Sequence, residues 1–264
     1  MDVRTPRSLD EALRVRAELP DAVPIQGGTD LMVDLNFDRR RPEALLNLNE
    51  VAELRGWSRE NGVVRLGAGL TYADAMSPEL AALLPALAEA SRTVGSPQIR
   101  NRGTIGGNLG TASPAGDALP PLLISECEVE VASVRGERRL PLESFLTGPK
   151  RNALAPDELI VAARVRSGDG AETFMKVGPR NAMVIAVVSL ALRVDRELGV
   201  LSAAFGTAGP TATLVTAALD DVDSFAEEVA AAASPIDDVR GTVAYRRHAL
   251  RVLVTRALER CLAL

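Results

Sequence analysis

Between residues 94 and 123 the chain reads VGSPQIRNRGTIGGNLGTASPAGDALPPLL, thirty residues dense in Gly, Pro, Asn and Ser. An irregular segment this long inside a compact domain marks either a functional loop or disorder. The apolar Ile99, Ile105 and Leu109 argue against disorder, so the segment is expected to be a long, irregular functional loop around which ordered elements must close. The 264 residues leave room for one large or two modest domains.

Hydrophobic spacing on either side of this loop gives a coarse map. Residues 8–19 carry Leu9, Ala12, Leu13 and Val15 at helical spacing and stop at Pro20. Residues 22–25, 44–48 and 63–67 are predicted strands, bounded by Pro42, Asn49, Asn61 and Gly62. The first 55 or so residues therefore read as a small β-α-β lobe, with residues 31–33 starting either a helical turn or a strand. Pro78 and Pro85 divide the Ala- and Leu-rich stretch 71–92 into two short helices. Residues 127–134 alternate as a strand and turn at Arg135-Gly136-Glu137 into RRLPL, a hairpin. From Asp157 onward ELIVAARV, FMKVGPR, VIAVVSLALRV and VLSAAFGTAG give three or four apolar segments of an antiparallel sheet, and residues 224–233 and 243–262 are predicted helices. A boundary at Arg166-Ser167-Gly168-Asp169-Gly170 separates a second, smaller α+β domain.

Composition removes several chemistries. Two cysteines, Cys127 and Cys261, lie far apart without CxxC spacing, and His248 is the sole histidine, in a helical pattern that suits a surface or packing role. The chain by itself supplies neither an all-cysteine iron–sulfur site nor an ordinary zinc site, and no Ser-His-Asp or Cys-His machinery. A net charge of −5 and the absence of a basic face with interleaved aromatics argue against a nucleic-acid partner, and Arg39, Arg40 and Arg41 read as a solvated turn. No apolar run is long enough for membrane insertion, and the opening MDVRTPRSLDEAL lacks the pattern of a secretory signal, so a cytoplasmic location is expected.

Two glycine pairs carry the functional signal. Gly27-Gly28-Thr29-Asp30 follows an apolar strand, where it forms either a plain tight turn or a nest of inward-facing N–H groups that binds an anion such as pyrophosphate. Thr104-Ile105-Gly106-Gly107-Asn108 repeats the logic, and a dinucleotide with two phosphates and two polyol arms suits backbone donors from two loops. Neither pair is GxGxxG, so a Rossmann fold is not indicated. Asp117 reads either as an acceptor for ribose or ribityl hydroxyls or as an Asx turn before Pro120 and Pro121.

The string QIRNRGTIGGNLGTASPAGDALPPLL resembles the flavin-binding segment of the molybdenum hydroxylase flavoproteins, the medium subunits of the xanthine dehydrogenase and carbon monoxide dehydrogenase type. PIQGGTDLMVDL resembles that family's first phosphate loop, and FMKVGPR, VIAVVSLAL and AYRRHALRVLVTRAL follow in the family's order. The resemblance implies an α+β chain: a bipartite FAD-binding domain of the vanillyl-alcohol oxidase type over residues 1–166, with lobes of about 1–55 and 56–166, then a smaller α+β domain with an antiparallel sheet over 167–264. It assigns Pro24, Ile25, Gln26, Gly27, Gly28, Thr29, Asp30 and Leu31 to the pyrophosphate loop. Thr104, Ile105, Gly106, Gly107, Asn108 and Thr111 would add further FAD contacts, Asp117 would hold a hydroxyl-bearing arm, Ile160 would lie against the flavin, and Lys176 would touch FAD. Without the resemblance Ile160 reads as strand core and Lys176 as a surface charge.

In the family an acidic residue often precedes the Ile-Ala pair after Lys176 and Arg180; here Val184 precedes Ile185-Ala186, which leaves the electron acceptor open. The family's arrangement implies an iron–sulfur subunit carrying 2Fe-2S clusters and a molybdopterin subunit as partners, with FAD on this chain as the outlet for electrons and no catalytic side chain or metal required of it. A stand-alone FAD-dependent oxidoreductase and a flavin-free scaffold subunit are the alternatives.

Overall fold

A computed structural model of the chain describes residues 1–168 and 170–263. Asp169, within the link read as a domain boundary, lies outside the described residues. The first lobe runs β1 (Asp2–Arg4), α1 (Leu9–Glu18), β2 (Val23–Ile25), α2 (Leu31–Asn36) and β3 (Ala44–Asn47). Its three strands are parallel in the order β1-β3-β2, with Val3 and Val23 both in register with Leu45. The Ser8 hydroxyl accepts from Glu11 N–H and opens α1, and α1 ends at Leu19 before Pro20. Residues 31–33 enter α2, so the helical reading of that stretch is the correct one.

Next come β4 (Trp57–Glu60), β5 (Val63–Gly67), α3 (Pro78–Leu83), α4 (Pro85–Thr93), α5 (Pro97–Arg100), α6 (Ile105–Thr111) and α7 (Leu119–Ile124). Pro78 and Pro85 each occupy a first helical turn, where the missing N–H costs nothing. The Gly- and Pro-rich segment 94–123 departs from its reading as a long irregular loop: α5, α6 and α7 are three short helices within it. The chain continues through β6 (Glu128–Ser133), β7 (Gly136–Pro141), α8 (Leu142–Phe145), β8 (Leu146–Gly148), β9 (Arg151–Asn152) and β10 (Leu159–Arg166). A five-stranded antiparallel sheet has the order β4-β5-β10-β6-β7. ELIVAARV thus belongs to this sheet as β10, paired on both sides, and not to the following one.

The last part holds β11 (Ala171–Val177), β12 (Val188–Asp195), β13 (Val200–Gly206), β14 (Thr213–Ala218), α9 (Val222–Ala232) and α10 (Val243–Leu262). Its four strands form an antiparallel meander in sequence order. Strand alternation divides this sheet between two hydrophobic cores. Phe174, Ala191 and Ala204 join the core built by the sheet β4–β10 and the helices α3 to α7, whereas Leu190, Leu192 and Phe205 join a second core closed by α9 and α10. Small alanines on one face let α7 approach β12 and β13. On the other face Leu250, Val254, Ala257 and Cys261 of α10 recur at helical spacing. The chain is an α+β protein.

Candidate functional site

The first glycine pair closes the C-terminal end of β2. Gly28 has φ +70°, a left-handed conformation that glycine adopts without strain. Gly27 is required for a different reason: a Cβ there would stand 2.0 Å from the Arg102 carbonyl oxygen, so the loop lies directly on the 102–103 backbone. The N–H groups of Gly27, Gly28, Thr29, Asp30 and Leu31 find no acceptor among the described residues. A run of unspent donors at a strand end favours an anion. Arg102 extends its guanidinium to the Gln26 carbonyl at 3.4 Å and to Asn49 Oδ1 at 3.3 Å. Beside it a cavity of about 210 Å³ is lined by Gln26, Asn49, Arg55, Arg102 and Thr104.

The second pair differs from its reading as another donor loop. Gly106 and Gly107 lie in the first turn of α6, and the backbone donors there are already used. Ile105 N–H donates to the Leu70 carbonyl at 2.9 Å, Gly106 N–H to Ala68 at 2.8 Å, and Asn108 N–H to Thr104 at 3.0 Å. Gly107 N–H donates to the Thr104 hydroxyl at 3.0 Å, an N-cap. What α6 offers is an uncovered strip. Gly106 packs inward, where a Cβ would stand 2.6 Å from Ala68, while Gly107 is exposed and Gly107, Gly110 and Thr111 share one face. Ile160 of β10 lies beneath it, its Cδ1 3.6 Å from the place of a Gly110 Cβ. The Thr111 hydroxyl donates to Asp30 Oδ2 at 3.2 Å and ties the strip to the first loop.

The third component is a buried ion pair. Lys176 Nζ lies 2.6 Å from Asp117 Oδ2, with side chains 7% and 8% exposed. β11 sends Phe174 and Lys176 to one face, and that face packs against α4, whose last residue is Thr93. Lys176 therefore is not the surface charge it resembles in isolation. Thr93 adds its hydroxyl as a donor to Asp117 and its carbonyl as an acceptor for Lys176. Burial pushes the Asp117 carboxyl above its ordinary value, and the Lys176 ammonium pulls it back. Asp117 Oδ1 and Asn108 Oδ1 are buried without a partner among the described residues. Such orphaned acceptors suit the hydroxyl groups of a bound molecule.

The structure thus joins the first loop to α6 through Asp30 and Thr111, sets Ile160 under Gly110, and pairs Asp117 with Lys176. Pro24 is exposed within β2, outside the donor run. Val184 rests on Gly178, where a Cβ would lie 2.6 Å from Val184 Cγ1, and Arg180 folds back onto the Ala182 and Met183 carbonyls. Among the described residues no three His, Cys, Asp or Glu side chains gather as metal ligands, Cys127 and Cys261 are buried thiols, and His248 is exposed on α10. No helix among them is long and apolar enough to cross a membrane. Sequence reasoning passed over Thr93 and Arg102, whose contacts join distant segments and leave no local pattern.

A family described as the FAD binding domain in molybdopterin dehydrogenase matches residues 1–165. A xanthine dehydrogenase FAD-binding subunit of Escherichia coli O157:H7 is 29% identical over 275 residues, 97% of this chain and 94% of that protein. A nicotinate dehydrogenase FAD-subunit of Eubacterium barkeri is 34% identical over 200 residues, 72% of this chain and 68% of that protein. Among solved structures, a chain of carbon monoxide dehydrogenase from Hydrogenophaga pseudoflava superposes with a TM-score of 0.91 at 28% identity, covering 100% of this chain and 97% of that one.

Proposed function

Because the chain belongs to the family of FAD-binding domains of molybdopterin dehydrogenases, we propose that it is the electron-transfer subunit of a molybdenum hydroxylase. In this reading it takes electrons from 2Fe-2S clusters on an iron–sulfur subunit and passes them to an external acceptor. The chain is a FAD-binding oxidoreductase component, and substrate hydroxylation falls to a molybdopterin subunit. The observation that carries the proposal is the run of unspent N–H groups from Gly27 to Leu31, in a loop that lies on the 102–103 backbone at Gly27 and is tied to α6 through Asp30 and Thr111.

The residues present fit FAD. The donor run supplies the dipoles that a pyrophosphate needs, the strip of Gly107 and Gly110 admits a flat or extended group at close range, and the orphaned oxygens of Asn108 and Asp117 accept from hydroxyls. Bound flavin supplies the redox chemistry. The protein's part is positioning: Lys176 holds Asp117 in place, Ile160 gives an apolar floor, and Thr111 keeps the first loop at a fixed distance from α6. Residues 1–166 act as the FAD-binding domain, with lobes of about 1–55 and 56–166, and 167–264 as the smaller domain whose strand β11 delivers Lys176.

The exposed side chains of Met32, Val33 and Phe37, on and beside the helix that follows the donor run, support a partner-facing surface close to the cofactor. A cytoplasmic holoenzyme fits the buried, unbonded thiols of Cys127 and Cys261. The test is affinity purification of the chain from its native host, with metal and flavin analysis. Recovery of iron, molybdenum and FAD together is the expected result; a flavin-bearing chain that turns over a small molecule without metal-bearing partners would replace the proposal with a stand-alone flavoenzyme.

A further inference from the structure

The turn that carries Asp117 is held from the far end of the chain. Within it, Ala115 N–H donates to the Ser113 hydroxyl at 3.3 Å and Gly116 N–H to the Ser113 carbonyl at 2.9 Å. Gly116 lies on the Asn108 amide, where a Cβ would stand 2.7 Å from Nδ2. The place of this turn therefore sets where the orphaned oxygens of Asn108 and Asp117 stand. From outside the turn, Thr207 N–H donates to the Pro114 carbonyl at 2.8 Å. Gly206 permits that approach, since a Cβ there would stand 3.0 Å from the same oxygen.

Thr207 makes this bond in a strained form. Its φ is +65°, left-handed and costly for a β-branched residue. Such a conformation persists where surrounding contacts impose it. The Thr207 hydroxyl has no partner among the described residues and contributes nothing to that hold. The hold comes from α10: Arg246, only 2% exposed, donates through Nη1 to the Thr207 carbonyl and through Nη2 to Asp238 Oδ1 at 2.6 Å. Asp238 is fixed in turn by Arg240 N–H, which donates to the same oxygen at 2.8 Å. We propose that Arg246 is a positioning residue for the cofactor: by fixing the Thr207 backbone it holds the 113–117 turn, and with it the Asn108 and Asp117 oxygens, where the hydroxyl-bearing arm of FAD donates to them. The inference rests on the FAD-binding reading above. It gives the buried charge of α10 a task beyond packing, since an apolar side chain would fill that space without the desolvation cost.

Arg246→Met keeps much of the side chain's bulk and removes both donors. The full chain, stripped of flavin, is titrated with FAD below its unfolding transition while flavin fluorescence and visible absorption are followed, and the Tm of the flavin-free protein is measured in parallel. The Kd for FAD is expected to rise about three- to tenfold, the misalignment of one hydrogen bond to the ligand. Adding Thr207→Gly, which takes the left-handed conformation without a strut and keeps the N–H, is expected to return the Kd to within about twofold of the unaltered chain. Arg246→Lys keeps the charge beside Asp238 without the two-armed fork and carries the same comparison if Arg246→Met does not fold. An unchanged Kd in the folded variant, whatever its Tm, makes Arg246 purely structural and overturns the inference, as does a rise that Thr207→Gly leaves in place. Failure of the unaltered chain to take up FAD would overturn the FAD-binding reading itself, a separate outcome.

Discussion

At the residue scale, one absent methyl group governs the first loop. An alanine at Gly27 would place its Cβ 2.0 Å from the Arg102 carbonyl oxygen, a backbone atom that cannot rotate away. Gly27→Ala is therefore expected to displace the donor run and abolish FAD uptake, read by fluorescence titration, while circular dichroism still reports the fold. The Asp117–Lys176 pair obeys a different logic, since both side chains are nearly buried. Lys176→Met leaves a buried carboxylate without its partner and should cost about 3–5 kcal/mol in urea unfolding, whereas Lys176→Met with Asp117→Asn recovers much of that loss. Additive single effects would show that the pair is not coupled. Their pairing was not legible from local sequence: Asp117 reads either as a hydroxyl acceptor or as an Asx turn and Lys176 as a surface site, and the partnership needs β11 to pack against α4 so that Lys176 reaches Asp117. Only the family resemblance pointed to both.

At the element scale, α6 shows why the Gly-rich segment reads as irregular. Seven residues containing Gly106, Gly107 and Gly110 have poor intrinsic helix propensity. Tertiary contacts override it, through the Thr104 cap and the close approach of Gly106 to Ala68. Thr104→Val removes the cap and is expected to lower stability by about 1 kcal/mol and to weaken FAD retention; unchanged thermal unfolding would remove the cap from the account. By contrast, β2, β3, β5 to β7, β10 to β13 and the terminal helices were legible from alternation and spacing, whereas the short β1, β4, β8 and β9 were not singled out. β14 was not singled out, because TLVTAA carries no clean alternation and is only partly buried.

A second element-scale contact joins α4 to β11. The start of α4 has no side-chain cap of its own, and Glu172 on β11 accepts from Ala86 N–H at 3.1 Å. Burial raises the Glu172 carboxyl to about 7, against the Ala86 bond and Arg193, which lower it, and with Glu89, which raises it. The folded state therefore holds this proton more tightly than the unfolded state does. Stability from this group is fully present below the ordinary glutamate pKa and is lost as pH rises toward about 7. Glu172→Gln keeps an acceptor without the charge, and is expected to raise stability at pH 8 by about 1–2 kcal/mol while changing little at pH 4. Equal effects at both pH values, measured by thermal unfolding, would contradict this.

At the scale of the whole molecule, one sheet is shared between two cores: its alanine face completes the site-bearing part and its Leu and Phe face packs on α9 and α10. That arrangement places Lys176 across from Asp117, so that two separately packed parts meet at one buried ion pair. The α+β class and the order of elements were readable in the sequence, but the docking of the parts was not, because it depends on which face of β11 to β13 carries the small residues. The unspent N–H groups from Gly27 to Leu31 are the feature on which the proposal that this chain holds FAD turns. The most direct measurement is a titration of the purified, flavin-free chain with FAD, followed by visible absorption. Stoichiometric uptake with a protein-bound flavin spectrum is expected; a folded chain that takes up no FAD would contradict the account.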